Sequence, residues 1–321
     1  MIMQIVLPLV AGLAIFLFGM KSMELALHLW AAPYLKQALY KLTRTPFRGL
    51  LTGAGTTAVL QSSSAVTVIT IGMVNAGVIT FPQTLGIILG TNIGTTVTTE
   101  LIGLNINHLA LPLLISSFIV WVAAWSIAVE NLGPILGKTV SALRHLSLAV
   151  GGFACVLLGM VVMESIVPAL QSRGLFAWFL EQSQRSLVWG IIAGTALTAV
   201  IQSSAATIAI TMGLAAVQAI SAELGIAIVL GANIGTCITG FIASIGGNRY
   251  GQYVAWAHVI LNICGAVLFY PFIPELFKLS AFITPDPSVQ LAHAQTIYNL
   301  ICSFLALPFL YLPFLNNIDS R

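Results

Sequence analysis

Gln61-Ser62-Ser63-Ser64 lies inside GAGTTAVLQSSSAVTVITIGM, a run with no charged side chain from Gly53 to Met73. Serine hydroxyls both donate and accept hydrogen bonds, and a glutamine amide adds two donor hydrogens and an acceptor. Buried in apolar surroundings, such groups need partners. A second copy follows at Gln202-Ser203-Ser204, and at equal spacing after the two copies come Asn92 in LGTNIGTTVT and Asn233 in LGANIGTCIT. Serine hydroxyls beside the free N–H groups of a helix start attract an anion without any Lys or Arg. Oxygens of Gln, Asn, Ser and Thr, with unwound carbonyls, suit a small hard cation. Neither block holds a Lys or Arg, so an anion bound there would be neutralised by co-bound cations. The coupling between the two ligands would act equally in both directions.

Simpler readings stand beside this one. Small residues in membrane helices serve close packing, and Ser and Thr bond to their own backbone; that is the reading for an isolated Gly90 or Thr67. QSS and NIGT recurring together, twice, favour a site. Ser62 or Ser63 as a hydrolytic nucleophile, with His258 or His108 as base, is an alternative of another class, as is a ligand-gated channel or sensor. Catalysis needs one activated serine with a base in reach, and neither serine segment has a histidine in its own block. Glu24 and Glu164 follow matching LFGM and LLGM motifs near span ends, where a structural or interfacial role outweighs ion ligation. His258 and Asn262, four apart, read as a hairpin brace, repeated in AQTIYN with Gln295 in the histidine place. His108 and His293 belong to no constellation, and the tryptophans read as interface or packing residues.

These side chains need a membrane scaffold. Of 321 residues, 58% are hydrophobic and 7% charged, against the roughly 25% charged residues of a soluble domain. Apolar runs near the roughly 20 residues that cross a bilayer recur from end to end. The first lacks a basic leader and is followed by Lys21 and Glu24, so it reads as a retained membrane helix and not a signal peptide. The net charge of +3 is small, spread over loops and uninformative about nucleic acid, which is not among the expected partners. Four cysteines without CxxC spacing read as buried reduced thiols. Shifted by 141 residues, Gly53–Leu104 falls on Gly194–Ile245 with roughly 20 of 52 positions identical. The expected fold is therefore an all-α polytopic membrane protein of two inverted-topology repeats, each with a re-entrant hairpin and broken helices. Residues 1–130 form the first repeat, 131–145 a cytoplasmic connection, 146–273 the second repeat, and 274–321 an extra C-terminal span and tail without a counterpart in the first half. Gly53, Gly55, Gly72, Gly77, Gly86, Gly90, Gly94 and Pro82 are read as breaking the first block into short pieces. Lys36, Lys41, Arg44 and Arg48 in one connection, and Lys138 and Arg144 in another, would face the cytoplasm. The N-terminus would then lie outside and the C-terminus inside a plasma or inner membrane. Inverted repeats with matching polar blocks are the signature of secondary transporters, whose site lies near the midplane.

QSSS and QSSA, each followed by GTNIGTT or GANIGTC, with LFGM ahead and AHVILN behind, resemble the type II sodium/phosphate cotransporter family over nearly the whole chain. The resemblance implies sodium-coupled uptake of inorganic phosphate by alternating access, with no enzyme activity and no cofactor beyond sodium as co-substrate. By position, Ser62, Ser63, Ser64, Ser203 and Ser204 would contact phosphate. Gln61, Asn92, Thr95, Thr98, Gln202, Asn233, Thr236 and Thr239 would serve sodium, the asparagines as ligands or as holders of a turn. Phosphate, sodium and the lipid bilayer are the expected partners, and a homodimer is compatible. A variant moving another oxyanion, or using protons, fits the same residues. Ala205 stands where the first motif has Ser64, and Cys237 replaces the second Thr of GTT. Many bacterial members continue into a PhoU-like helical domain; this chain ends at Arg321, so regulation in cis through such a domain is not expected.

Overall fold

Thr45 opens a helix: its side chain accepts from Arg48 N at 3.3 Å, and Pro46 fills the first helical position, where its missing N–H costs nothing. In the computed structural model, which describes residues 7–104, 106–127, 133–165 and 174–316, every regular element among the described residues is helical. In chain order these are α1 (Leu7–Leu42), α2 (Pro46–Leu60), α3 (Ser63–Asn75), α4 (Phe81–Gly103), a 3-10 turn (Asn107–Leu109), α5 (Ala110–Trp125) and α6 (Pro134–Glu164). Then follow α7 (Gly174–Arg185), α8 (Val188–Ile201), α9 (Ser204–Ala216), α10 (Ala222–Ser244), α11 (Arg249–Phe269), α12 (Ile273–Ile283) and α13 (Pro287–Ala306). Among the described residues, seven stretches are long and apolar enough to cross a membrane. Side chains such as Phe18, Phe118, Val267 and Phe282 lie bare on their outer faces, where only lipid is a fitting solvent. The chain is an all-α multi-pass membrane protein.

The helices gather into two compact units, residues 1–34 with 105–170 and residues 35–104 with 171–321. In the first, α1 and α6 cross on glycines. A Cβ on Gly12 would lie 3.0 Å from the Gly159 carbonyl oxygen, and one on Gly152 would lie 2.6 Å from that of Gly19. At the shift of 140 that aligns LFGM with LLGM, Gly12 maps on Gly152 and Gly19 on Gly159, so matched positions meet reciprocally. Arg144 belongs to α6; it donates to Ala124 O at 3.1 Å and Ile127 O at 2.8 Å, closing the end of α5, and its guanidinium lies 4.4 Å from the Trp125 ring. Glu24 pairs with Lys21 at 3.0 Å, in keeping with a structural role. The Glu164 side chain falls outside the described residues.

The second unit holds both polar blocks. α2 lies along α4, and α8 along α10, at backbone contact: a Cβ on Gly53 would collide with Ile87 O and one on Gly194 with Ile228 O, as would Gly90 with Leu50 O and Gly231 with Ile191 O. Each pair maps on the other at the shift of 141. This corrects the reading of the glycines as breaks. Gly86, Gly90 and Gly94 sit inside an unbroken 23-residue α4, whose first turn takes Pro82 without harm; they are bare so that α2 can approach. The real interruptions are at Gln61-Ser62 and at the turn carrying Gly77, whose φ is +69°. The halves also interlock: α3 packs on α10 and α11, and α9 packs on α4 and α13. All four cysteines are free; Cys237 is buried and Cys264 is exposed, against the expectation of burial.

Candidate functional site

Gln61 ends α2 in the left-handed region, φ 54° and ψ 27°, and Gln202 ends α8 at φ 58° and ψ 28°. A residue with a Cβ is strained there, yet both copies adopt it, and the chain turns abruptly into a new helix. Ser62 and Ser203 are the N-caps of α3 and α9. Their Oγ atoms accept from Ala65 N and Ala206 N, each at 3.2 Å. The next two N–H groups, those of Ser63 and Ser64 and of Ser204 and Ala205, precede the first intrahelical acceptors and point out of the helix start. Each copy is thus a glutamine, a capping serine and an open helix N-terminus, the arrangement that binds anions. The helices around the breaks have 15 and 13 residues in the first copy and 14 and 13 in the second. At about 1.5 Å per residue they are about 20 Å long, short of a roughly 30 Å hydrocarbon layer.

The copies are not identical. Gln61 is buried, its Nε2 donating to Ala58 O and its Oε1 without a partner; Gln202 is exposed and its backbone N–H donates to Thr198 O at 2.7 Å. Ser62, Ser63, Ser64 and Ser203 are half-buried and Ser204 is buried. Thr198 Oγ1 donates to Thr207 Oγ1 at 2.8 Å. Its counterpart Thr57 has Val66 at the position that corresponds to Thr207, and its Oγ1 has no partner.

The predicted sodium residues lie on the continuous helices α4 and α10. Thr95 and Thr236 donate to the carbonyls four residues back, at 2.8 and 3.0 Å, so their oxygens keep lone pairs for a cation. Thr98 is buried, and Thr239 Oγ1 is buried without a partner. Asn92 and Asn233 sit in mid-helix and hold no turn, which corrects that reading: Asn92 Nδ2 donates to Asn262 Oδ1 at 3.3 Å, and Asn233 Nδ2 to Val229 O at 3.3 Å. Of the expected brace pair only Asn262 bridges helices, tying α11 to α4 and donating to His258 O at 2.9 Å, while the His258 ring nitrogens have no partner.

One cluster escaped the sequence reading. His293 Nδ1 lies 3.0 Å from Glu100 Oε2, and Thr296 Oγ1 donates to Glu100 Oε1, joining α4 to α13. Glu100 has Phe241 as its repeat counterpart, so neither motif nor symmetry marked it. Among the described residues, no motif serine has a histidine as a hydrogen-bond partner. A cavity of about 920 Å³ in the same unit, lined by Gln184, Arg185, Gln218, Glu223 and Tyr270 among others, includes none of the motif residues.

The family model described as Na+/Pi-cotransporter matches twice, over residues 15–165 and 155–275. The chain is 30% identical over 306 residues to the "Uncharacterized protein YqeW" of Bacillus subtilis, covering 95% of each chain. It is 24% identical over 258 residues to the "Putative inorganic phosphate export protein YjbB" of Escherichia coli K12, covering 80% of this chain and 45% of that one, and matches its Salmonella typhimurium namesake to the same extent. The chain therefore spans less than half the length of the YjbB proteins. No solved structure matches. With both blocks inside the matched ranges, the chain belongs to the Na+/Pi-cotransporter family.

Proposed function

We propose that the protein carries inorganic phosphate across the membrane together with sodium, by alternating access. The observation that carries this reading is the pair of serine-capped helix starts, each behind a left-handed glutamine, on helices too short to span. Ser62, Ser63 and Ser64 of one copy and Ser203 and Ser204 of the other hold the phosphate oxygens, with the N–H groups that open α3 and α9. Sodium binds the oxygens of Gln61, Asn92, Thr95 and Thr98 and of Gln202, Asn233, Thr236 and Thr239, offsetting the anion's charge in a site without Lys or Arg. The blocks insert with opposite topology, as re-entrant hairpins whose freed backbone groups face a cavity.

The relatives named as export proteins favour a second reading of direction, phosphate efflux. A coupled carrier runs either way, so the imposed gradients decide. In proteoliposomes, an inward sodium gradient drives accumulation of radiolabelled phosphate and an outward gradient drives its loss, while potassium supports neither. Flux independent of sodium would instead assign a uniporter or channel. Uptake untouched by Ser63→Ala and Ser203→Ala would remove the serines from the site.

A further inference from the structure

α11 and α13 repeat a pattern, Ala257-His258-x-x-x-Asn262 and Ala294-Gln295-x-x-x-Asn299, whose polar members share a helix face. The helices are placed alike within their unit. α11 packs on α10 of the second block and α3 of the first; α13 packs on α4 of the first block and α9 of the second. Single contacts agree with this. A Cβ on Gly240 of α10 would lie 3.7 Å from His258 Nδ1 and 3.2 Å from Thr67 Cγ2 of α3. Thr99 of α4, which maps on Gly240 at the shift of 141, donates to Gln295 Oε1. His258 and Gln295 therefore occupy matching places, and α13, which lacks a counterpart in the first half by sequence, is the spatial counterpart of α11.

His258, Gln295 and Asn299 are 2%, 0% and 1% exposed. Neither ring nitrogen of His258 has a hydrogen-bond partner, and neither Gln295 Nε2 nor Asn299 Nδ2 has one; Thr67 Oγ1, on the α3 residue that meets the same Gly240 as His258, is also unpartnered. A buried polar group left without a partner is costly, so several in one interior point to a polar guest. Thr67 follows Ser63 by one helical turn, which sets His258 about one turn, roughly 5 Å, along α3 from its open N-terminus. The spare atoms of Gln295 and Asn299 only donate, which suits an oxyanion and not a cation. A neutral imidazole offers one donor and one acceptor. Monohydrogen phosphate has a P–OH to give that acceptor; sulfate at neutral pH has none.

We infer that His258 and Gln295 are oxyanion contacts beyond the serine caps. Gln295 donates to a phosphoryl oxygen, and His258 accepts the P–OH and so sets preference for phosphate over sulfate. This rests on the phosphate reading above. The test is equilibrium binding of radiolabelled phosphate to the purified chain in sodium, displaced by arsenate, sulfate or monofluorophosphate. Arsenate keeps the acidic proton; the other two lack it. The wild-type chain prefers phosphate and arsenate over both proton-free anions by about tenfold or more, since a buried polar group left unpaired penalises the analogue. His258→Leu erases that preference by weakening phosphate and arsenate alone, while Gln295→Leu weakens all four anions alike. If His258→Leu does not fold, the wild-type comparison decides, and monofluorophosphate binding as tightly as phosphate overturns the inference. Normal phosphate binding with an unchanged preference in His258→Leu overturns it too. A wild-type chain that binds no phosphate overturns instead the reading on which it rests.

Discussion

Ser62 and Ser63 are neighbours with different duties, and this difference is measurable. Ser62 accepts from Ala65 N, so Ser62→Ala loses an N-cap worth about 1 kcal/mol and weakens transport as well. Ser63 opens α3 with no capping bond to lose; Ser63→Ala is expected to keep the thermal midpoint in detergent and lose phosphate uptake. Equal destabilisation of the two variants, with uptake falling only in proportion, would reduce the serines to caps. Gln61→Gly is a third probe: glycine takes the left-handed turn freely, so the break is kept or stabilised while the buried amide is lost, and phosphate affinity falls at unchanged folding. The doubled QSS made these residues legible in the sequence. Their geometry was not legible, because a left-handed φ at a glutamine has no residue-type signal such as glycine would give.

Helix packing turns on the same residue type used in two ways. Gly194 touches the Ile228 carbonyl, whereas Gly72 of α3 has nothing within 4 Å of where its Cβ would be. Gly194→Val is therefore expected to force α8 off α10 and destabilise by about 3 kcal/mol or more, while Gly72→Ala is neutral or stabilises by up to about 1 kcal/mol. Thermal unfolding of the two variants checks both signs, and a neutral Gly194→Val would sink the close-approach account. Composition alone could not separate these glycines, since a contact glycine and a breaking glycine look alike until the opposing helix is known. The Glu100, His293 and Thr296 cluster was hidden for a related reason: its members lie on α4 and α13, far apart in the chain, and only tertiary packing brings them together. The brace at Asn262 was legible because the i, i+4 pattern is local; its partner Asn92 was not.

At the scale of the molecule, each compact unit draws helices from both halves of the chain, and glycines and caps that match in sequence at a shift of 140 or 141 make matching contacts. The all-α, multi-pass class and the two polar blocks were plain from hydropathy and self-similarity. The exchange of partners between halves was not, because periodicity reports which face of a helix is buried and not against what. In the proposed carrier two half-sites make one site: α3 and α9 present their open ends to a single phosphate whose binding sodium strengthens. Equilibrium phosphate binding by the purified chain, titrated at several sodium concentrations, tests this. One phosphate per chain is expected, with an affinity that rises with sodium and with binding lost in Ser63→Ala and in Ser204→Ala alike. Two independent phosphates per chain, or an affinity indifferent to sodium, would contradict it.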